Sequence, residues 1–229
     1  MFFRIYDNGH NTFIILNESV NMVLRKKAIL FDNDGVLADT EGLFFDATKK
    51  VLSKVNIDVS SELYIDYCLK RGKSLFDLAK EKGFSDYEVR RLRAERDAIY
   101  EKDLASKNTA MPDVENMLRK LHAKISIGVV TTARRSHIDI MHRNTGFLKY
   151  FDFIVTAEDY EYPKPAPDPY LKGIEMSGLD PIECIAVEDS ERGLKSALSA
   201  NIDCAVIPNK LTKHCDFPGC VKILKNHEI

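Results

Sequence analysis

The sequence predicts an α/β fold, a Rossmann-like parallel-sheet core with a small all-helical insert after its first strand. Three observations carry that expectation. Short apolar runs alternate with helix-prone stretches from Lys27 onward, and that alternation argues for a parallel sheet covered on both faces. The runs are three to six residues of near-continuous apolar character, as strands buried on both faces require. One long helical segment, residues 40–108, interrupts the alternation after the first run.

The first run is Ala28-Ile29-Leu30-Phe31, which ends in Asp32-Asn33-Asp34-Gly35. The helical segment follows, with Leu63, Tyr67, Leu75, Leu78 and Ala79 spaced for an apolar face. Its second half, residues 87–104, is charged, with Val89, Leu92 and Ile99 on one side, and Arg90-Arg91-Leu92-Arg93 reads as an exposed face. Pro112 suits a helix start, and residues 113–122 read as that helix. Further strands are expected at 125–130, ending at Thr131-Thr132, at 153–155, at 184–187, ending at Glu188-Asp189, and at 204–207. A helix over 192–200 joins the last two. In open parallel sheets ligands bind beyond the carboxyl ends of the strands, where these polar clusters fall.

Ahead of the core, residues 2–6 and 12–16 read as two strands around the turn-forming Asp7-Asn8-Gly9-His10-Asn11. The expected organisation is an extension over 1–21 that reads as a hairpin, an α/β core over 22–39 and 110–229, and a helical segment over 40–109.

The 229 residues are 45% hydrophobic and 30% charged, with a formal charge of −2. That balance suits a globular protein and argues against a surface that coats nucleic acid. No apolar run reaches the ~20 residues of a membrane span. Five scattered cysteines fit a reducing cytoplasm better than a disulfide framework. His214, Cys215 and Cys220 fall short of a zinc-site signature.

The chemistry begins at Asp32 and Asp34. Two carboxylates ~4 Å apart repel by ~4 kcal/mol at an effective dielectric near 20, and Asp189 at another strand end adds to the conflict. A cation must relieve it, and oxygen ligands of this kind suit Mg²⁺.

Four segments, in order, resemble the motifs of the haloacid dehalogenase-like superfamily: Phe31-Asp32-Asn33-Asp34-Gly35-Val36-Leu37-Ala38-Asp39-Thr40-Glu41, then Thr131 after Gly128-Val129-Val130, then Lys164-Pro165-Ala166-Pro167-Asp168-Pro169-Tyr170, then Val187-Glu188-Asp189-Ser190 with Gly193. The helical segment is similar to the cap of the subgroup containing β-phosphoglucomutase and sugar-phosphate phosphatases. The resemblance implies a phosphatase acting on a small phosphorylated metabolite. Asp32 would be the nucleophile that forms a phospho-aspartate, and Asp34 the general acid and base. Thr131 would bind a phosphoryl oxygen, and Lys164 would offset charge. Mg²⁺ would be held by Asp32, Asp189, Glu188 and the backbone carbonyl of Asp34. Thr132 would be a further phosphate donor or a helix cap, and Arg71 and Lys73 in the cap loop would grip the substrate's far end. Such enzymes are expected as monomers or weak homodimers.

Departures from the family pattern refine the expectation. Asn33 stands where an apolar residue is usual, and strand geometry points it away from Asp32 and Asp34. Phe44 stands where the mutases carry a histidine, which argues against the mutase reading. Asp34 argues against dehalogenation. Lys49, Lys50 and Lys54 keep a phosphonate hydrolase, with an imine-forming lysine, as an alternative. A non-catalytic binding domain is disfavoured by the presence of Asp32, Asp34, Lys164 and Asp189 together.

Overall fold

A computed structural model describes residues 5–7, 13–17, 22–122 and 124–224. At its start, β1 (Ile5–Asp7), β2 (Phe13–Asn17) and β3 (Met22–Lys26) form a three-stranded antiparallel sheet. The expected strand residues 2–4 and 12, and most of the turn between the strands, lie outside the described residues. β3 was not foreseen as a strand. The buried Lys26 ties it to the rest of the molecule through the Ile182 carbonyl at 2.8 Å and Asp203 at 2.7 Å.

The core sheet is built from β4 (Ala28–Phe31), β5 (Ser126–Val130), β6 (Phe153–Val155), β7 (Cys184–Glu188), β8 (Asp203–Val206) and the two-residue β9 (Lys222–Ile223). All six run parallel, in the order β6-β5-β4-β7-β8-β9. Five of them match the expected strands to within a residue or two, and β9 is an addition. Successive strands build outward from β4 in one direction through β5 and β6 and in the other through β7 to β9. The order therefore reverses at β4, and the crevice of such a switch point opens at its carboxyl end, where Asp32 begins.

Alternate residues of β4 bury on opposite faces, as the period of two demands. Ile29 and Phe31 pack with Ile127 and Val129, while Ala28 and Leu30 pack with Tyr170, Leu194 and Ala197. α5 (Val114–Leu121) presents Val114, Met117, Leu118 and Leu121 to the first face at helical spacing. The second face is covered by α7 (Asp168–Ser177) and α8 (Glu191–Ser199). Burying each such large aliphatic side chain contributes about 1.5–3 kcal/mol.

Between β4 and α5 the chain is helical: α1 (Glu41–Ser53), α2 (Ser61–Tyr64), a π-helical turn over Ile65–Lys70, α3 (Asp77–Glu81) and α4 (Asp86–Ser106). A capping box of Ser85 and Glu88 starts α4. These helices share their own core of Val51, Leu52, Tyr64, Leu69, Phe76 and Leu92. A smaller cluster joins them to the sheet domain: Tyr100 and Leu104 of α4 pack with Met141 of α6 (Arg135–Thr145). Among the described residues, no helix is long and apolar enough to cross a membrane.

Candidate active site

The loop leaving β4 is wound tightly by its own backbone. The Asn33 carbonyl accepts from the amides of Leu37 and Ala38, and the Gly35 amide donates to Ala38. Gly35 has φ +82°, and a Cβ there would lie 2.2 Å from Asp189 Oδ2, so this position admits only glycine. Asn33 does turn away from its neighbours. It is fully buried, with Oδ1 2.8 Å from His142 Nε2 and Nδ2 3.1 Å from Met141 Sδ. Burial holds the His142 imidazole neutral, its pKa lowered to about 4. The expected apolar position is thus filled by a polar residue with its own buried partner.

Asp32 and Asp34 meet different surroundings. Asp34 Oδ1 accepts from the Thr40 hydroxyl and from Tyr100 at 3.3 Å, and Oδ2 accepts from Thr131 at 3.3 Å. Thr131 also receives the Ala133 amide at 3.0 Å. Asp32 faces the ammonium of Lys164 at 2.8 Å. Lys164 is buried and also donates to Glu188 at 2.6 Å and to the Val130 carbonyl at 2.7 Å. Burial alone would favour its neutral amine, but the charges of Asp32 and Glu188 outweigh that and hold it protonated above the usual lysine range.

One oxygen each from Asp32, Glu188 and Asp189 lies within 4.8 Å of the others, all three residues being buried. Glu188 Oε1 takes Lys164 and the Tyr170 hydroxyl, at 2.7 Å, while Oε2 is buried with no partner among the described residues. Gly193 makes room for this carboxylate, since a Cβ there would lie 1.9 Å from Oε2. Burial, then the charge of Glu188, raises Asp32 to about 7, and burial with Asp32 raises Asp189 well above the usual range. Asp32, Glu188 and Asp189, with Glu41 nearby, outnumber the cations Lys164 and Arg192, which leaves an anionic excess and an unpaired acceptor, and that donor set fits a hard divalent cation. From Asp34 the expected donor is the backbone carbonyl. Its carboxylate faces Thr40, Tyr100 and Thr131, so its backbone carbonyl is the donor it has left to offer.

A cavity of about 300 Å³ is walled by core residues that include Asp34, Thr132 and Lys164 and by residues of the helical segment, while Asp32, Thr131, Glu188 and Asp189 do not line it. Thr132 is no helix cap, because Arg134 holds that position on α6. Lys73 lines the cavity, with its ammonium 5.5 Å from the Tyr67 ring. Arg71 does not line it; the side chain is 58% exposed and pairs with Asp66 at 2.7 Å. Lys49, Lys50 and Lys54 are exposed and also lie outside the wall.

Several lining residues went unforeseen. Arg90 and Arg91 are exposed as expected, but Arg93 of the same run turns into the cavity, as does the buried Arg96. Arg192, in the first turn of α8, lines the cavity with Nε buried and unpartnered among the described residues. Burial would lower its pKa, but Glu41, then Tyr64, Asp32 and Asp189, raise it. Glu41 accepts a short hydrogen bond from Tyr64. An arginine in a helix's first turn, against the macrodipole, was a readable signal that a local anion faces it.

A family model for haloacid dehalogenase-like hydrolases matches residues 29–207. The chain is 30% identical over 203 residues to the protein CbbY of Rhodobacter capsulatus, covering 83% of this chain and 89% of that one. It is 25% identical over 185 residues to the fructose-1-phosphate phosphatase YqaB of Escherichia coli, covering 80% and 96%. Among solved structures, a β-phosphoglucomutase from Clostridium difficile superposes with a TM-score of 0.76 at 25% identity, over 89% and 92% of the two chains. CbbY from Rhodobacter sphaeroides, solved with xylulose-1,5-bisphosphate, superposes at 0.78 with 23% identity, over 89% and 95%. This chain belongs to the haloacid dehalogenase-like hydrolases, in their phosphatase and β-phosphoglucomutase-like subgroup.

Proposed function

We propose that the chain is a Mg²⁺-dependent phosphatase of a small phosphorylated metabolite, a sugar phosphate or similar, acting through a phospho-aspartate on Asp32. The observation that carries the reading is the division of labour between two carboxylates two residues apart. Asp32 sits among Lys164, Glu188 and Asp189, while Asp34 is held by three hydroxyls on the other side.

Asp32 attacks phosphorus, and the leaving alkoxide takes a proton from Asp34. Asp34 then draws a proton from the water that cleaves the acyl phosphate. Thr131, within hydrogen-bonding distance of Asp34, is placed to turn its hydroxyl to a phosphoryl oxygen, with Thr132 beside it on the cavity wall. Lys164 neutralises part of the charge that builds on the transferring group. Asp32, Glu188 and Asp189, with the Asp34 carbonyl, would hold the cation. When bound, Mg²⁺ supplies the positive charge that lets one anion approach another.

We read residues 22–39 and 110–229 as the catalytic core and 40–109 as a cap that selects the substrate, with Lys73 as a binding residue. The five cysteines are free thiols, as a cytoplasmic enzyme favours. The mutase alternative is disfavoured by Phe44, which lines the cavity and has no proton to give. The phosphonate-hydrolase alternative is disfavoured by the outward Lys49, Lys50 and Lys54. The test is phosphate release from a panel of phosphorylated metabolites and p-nitrophenyl phosphate, with and without Mg²⁺. The reading requires turnover that chelation abolishes; silence across the panel would refute it.

A further inference from the structure

Asn209 has no part in the proposed chemistry, and it stands three residues beyond the end of β8. Its side chain nevertheless reaches the carboxylate cluster, where Nδ2 donates to Asp189 Oδ2 at 2.5 Å. β8 pairs with β7, and the Ile207 amide donates to the Glu188 carbonyl at 2.7 Å. The loop that follows β8 therefore runs beside Glu188 and Asp189 at the carboxyl edge of the sheet.

A turn decides which way the Asn209 carboxamide faces. The Leu211 and Thr212 amides donate to its Oδ1 at 2.8 Å and 3.2 Å. Only the oxygen of a carboxamide accepts, so its nitrogen is the atom that must meet Asp189. The Asn209 amide donates to the Thr212 hydroxyl at 3.0 Å, and the Lys213 amide donates to the Asn209 carbonyl at 2.9 Å. Thr212 is fully buried, and Leu211 packs on the core of the helical segment. An asparagine held in this way has little freedom left to lose when it binds a carboxylate.

Asp189 is clamped from a second direction by the loop that carries Asp32 and Asp34. A Cβ on Gly35 would lie 2.2 Å from Asp189 Oδ2 and 2.7 Å from Asn209 Nδ2, so both atoms crowd the same backbone. The carboxylate is 3% exposed, and one of its oxygens stays within 4.8 Å of oxygens of Asp32 and Glu188.

We infer that Asn209 is a positioning residue of the metal site, holding the Asp189 carboxylate turned toward Asp32 and Glu188 before any cation arrives. The inference rests on the Mg²⁺ reading and adds to it a residue that sets the affinity. A hydrogen bond to an ionised carboxylate is among the stronger kinds, and a ligand oriented in advance binds without a further ordering cost. A neutral amide suits the place, because it orients the carboxylate without a charge that would repel the cation.

The test reads metal affinity apart from turnover. Mn²⁺, which takes the same oxygen ligands as Mg²⁺, is titrated into the substrate-free protein, and its free fraction is followed by electron paramagnetic resonance. Competition with Mg²⁺ gives the affinity for that ion. Asn209→Ser keeps a hydroxyl for the turn amides but has no second polar group for Asp189. It should weaken binding of both ions by ~10–100-fold, with the metal-free melting temperature within a few degrees of the parent. If that variant fails to fold, Asn209→Thr, with the same hydroxyl, carries the comparison. Thr212→Val removes a hydrogen bond of the turn and leaves the one to Asp189. It should lower the melting temperature with metal affinity within about 2-fold of the parent. Unchanged affinity in Asn209→Ser, or an equal loss from Thr212→Val, would overturn the inference and leave Asn209 a turn residue only. A parent that binds neither ion would refute the Mg²⁺ reading, and the inference with it.

Discussion

Lys164 donates to Asp32 at 2.8 Å with both residues buried. The same ammonium holds Glu188 at 2.6 Å, so one cation ties the expected nucleophile to an expected metal ligand on a different strand. Replacing it with methionine strands two buried carboxylates. Lys164→Met should destabilise the protein by about 3–5 kcal/mol as well as abolish turnover. Urea denaturation checks the first effect. A variant as stable as the parent would show that Lys164 has no structural share in the site.

Asp34 is held by Thr40, Tyr100 and Thr131 rather than by a charged partner. Asp34→Asn preserves the shape and removes the proton shuttle. Turnover should fall by ~10²–10⁴-fold with the melting temperature within a few degrees of the parent. Tyr100→Phe, which removes one 3.3 Å hydrogen bond of the three, should cost far less. Comparable losses from both would shift the acid–base role away from Asp34.

Gly193 lies against the Glu188 carboxylate. Gly193→Ala places a methyl 1.9 Å from the present position of Oε2, so Glu188 must move. The Mg²⁺ concentration giving half-maximal activity should rise by ~10–100-fold, the usual cost of disturbing a ligand's support. An unchanged Mg²⁺ dependence would remove Glu188 from the metal site.

His142 provides a pH signature away from the chemistry. Its folded pKa of about 4 lies below the ordinary 6.5, so the unfolded chain binds a proton that the native state refuses. Stability is intact above pH 6.5, is lost as pH falls from 6.5 to about 4, and changes no further from this group below that. At ~1.4 kcal/mol per pH unit the loss is of order 3 kcal/mol. Denaturation of the parent and of His142→Gln at pH 7 and pH 4.5 isolates it. Equal pH dependence in the two would show that His142 is not the titrating group.

The sheet and the carboxylate cluster were readable because both depend on short-range pattern. Continuous apolar runs announce strands buried on two faces, and Asp32, Asp34 and Asp189 follow such runs directly. The cavity's guanidiniums were hidden for the opposite reason. Arg93 and Arg96 are three apart on α4, and which side of a charged helix faces inward depends on packing against α6 and on Phe44 and Phe76, which arrive from other segments. Arg71 pairs with Asp66 outside the cavity wall, and a cationic loop reads the same in sequence whichever way it points. β3 and β9 were missed because a strand recruited to an edge needs little apolar pattern of its own.

The proposed mechanism forms a covalent phosphoryl group on Asp32. The protein, acid-quenched during turnover of a phosphate ester and reduced with borohydride, should yield a tryptic peptide in which residue 32 has become homoserine. Phosphate release without that product, or with the reduction at another carboxylate, would contradict the account.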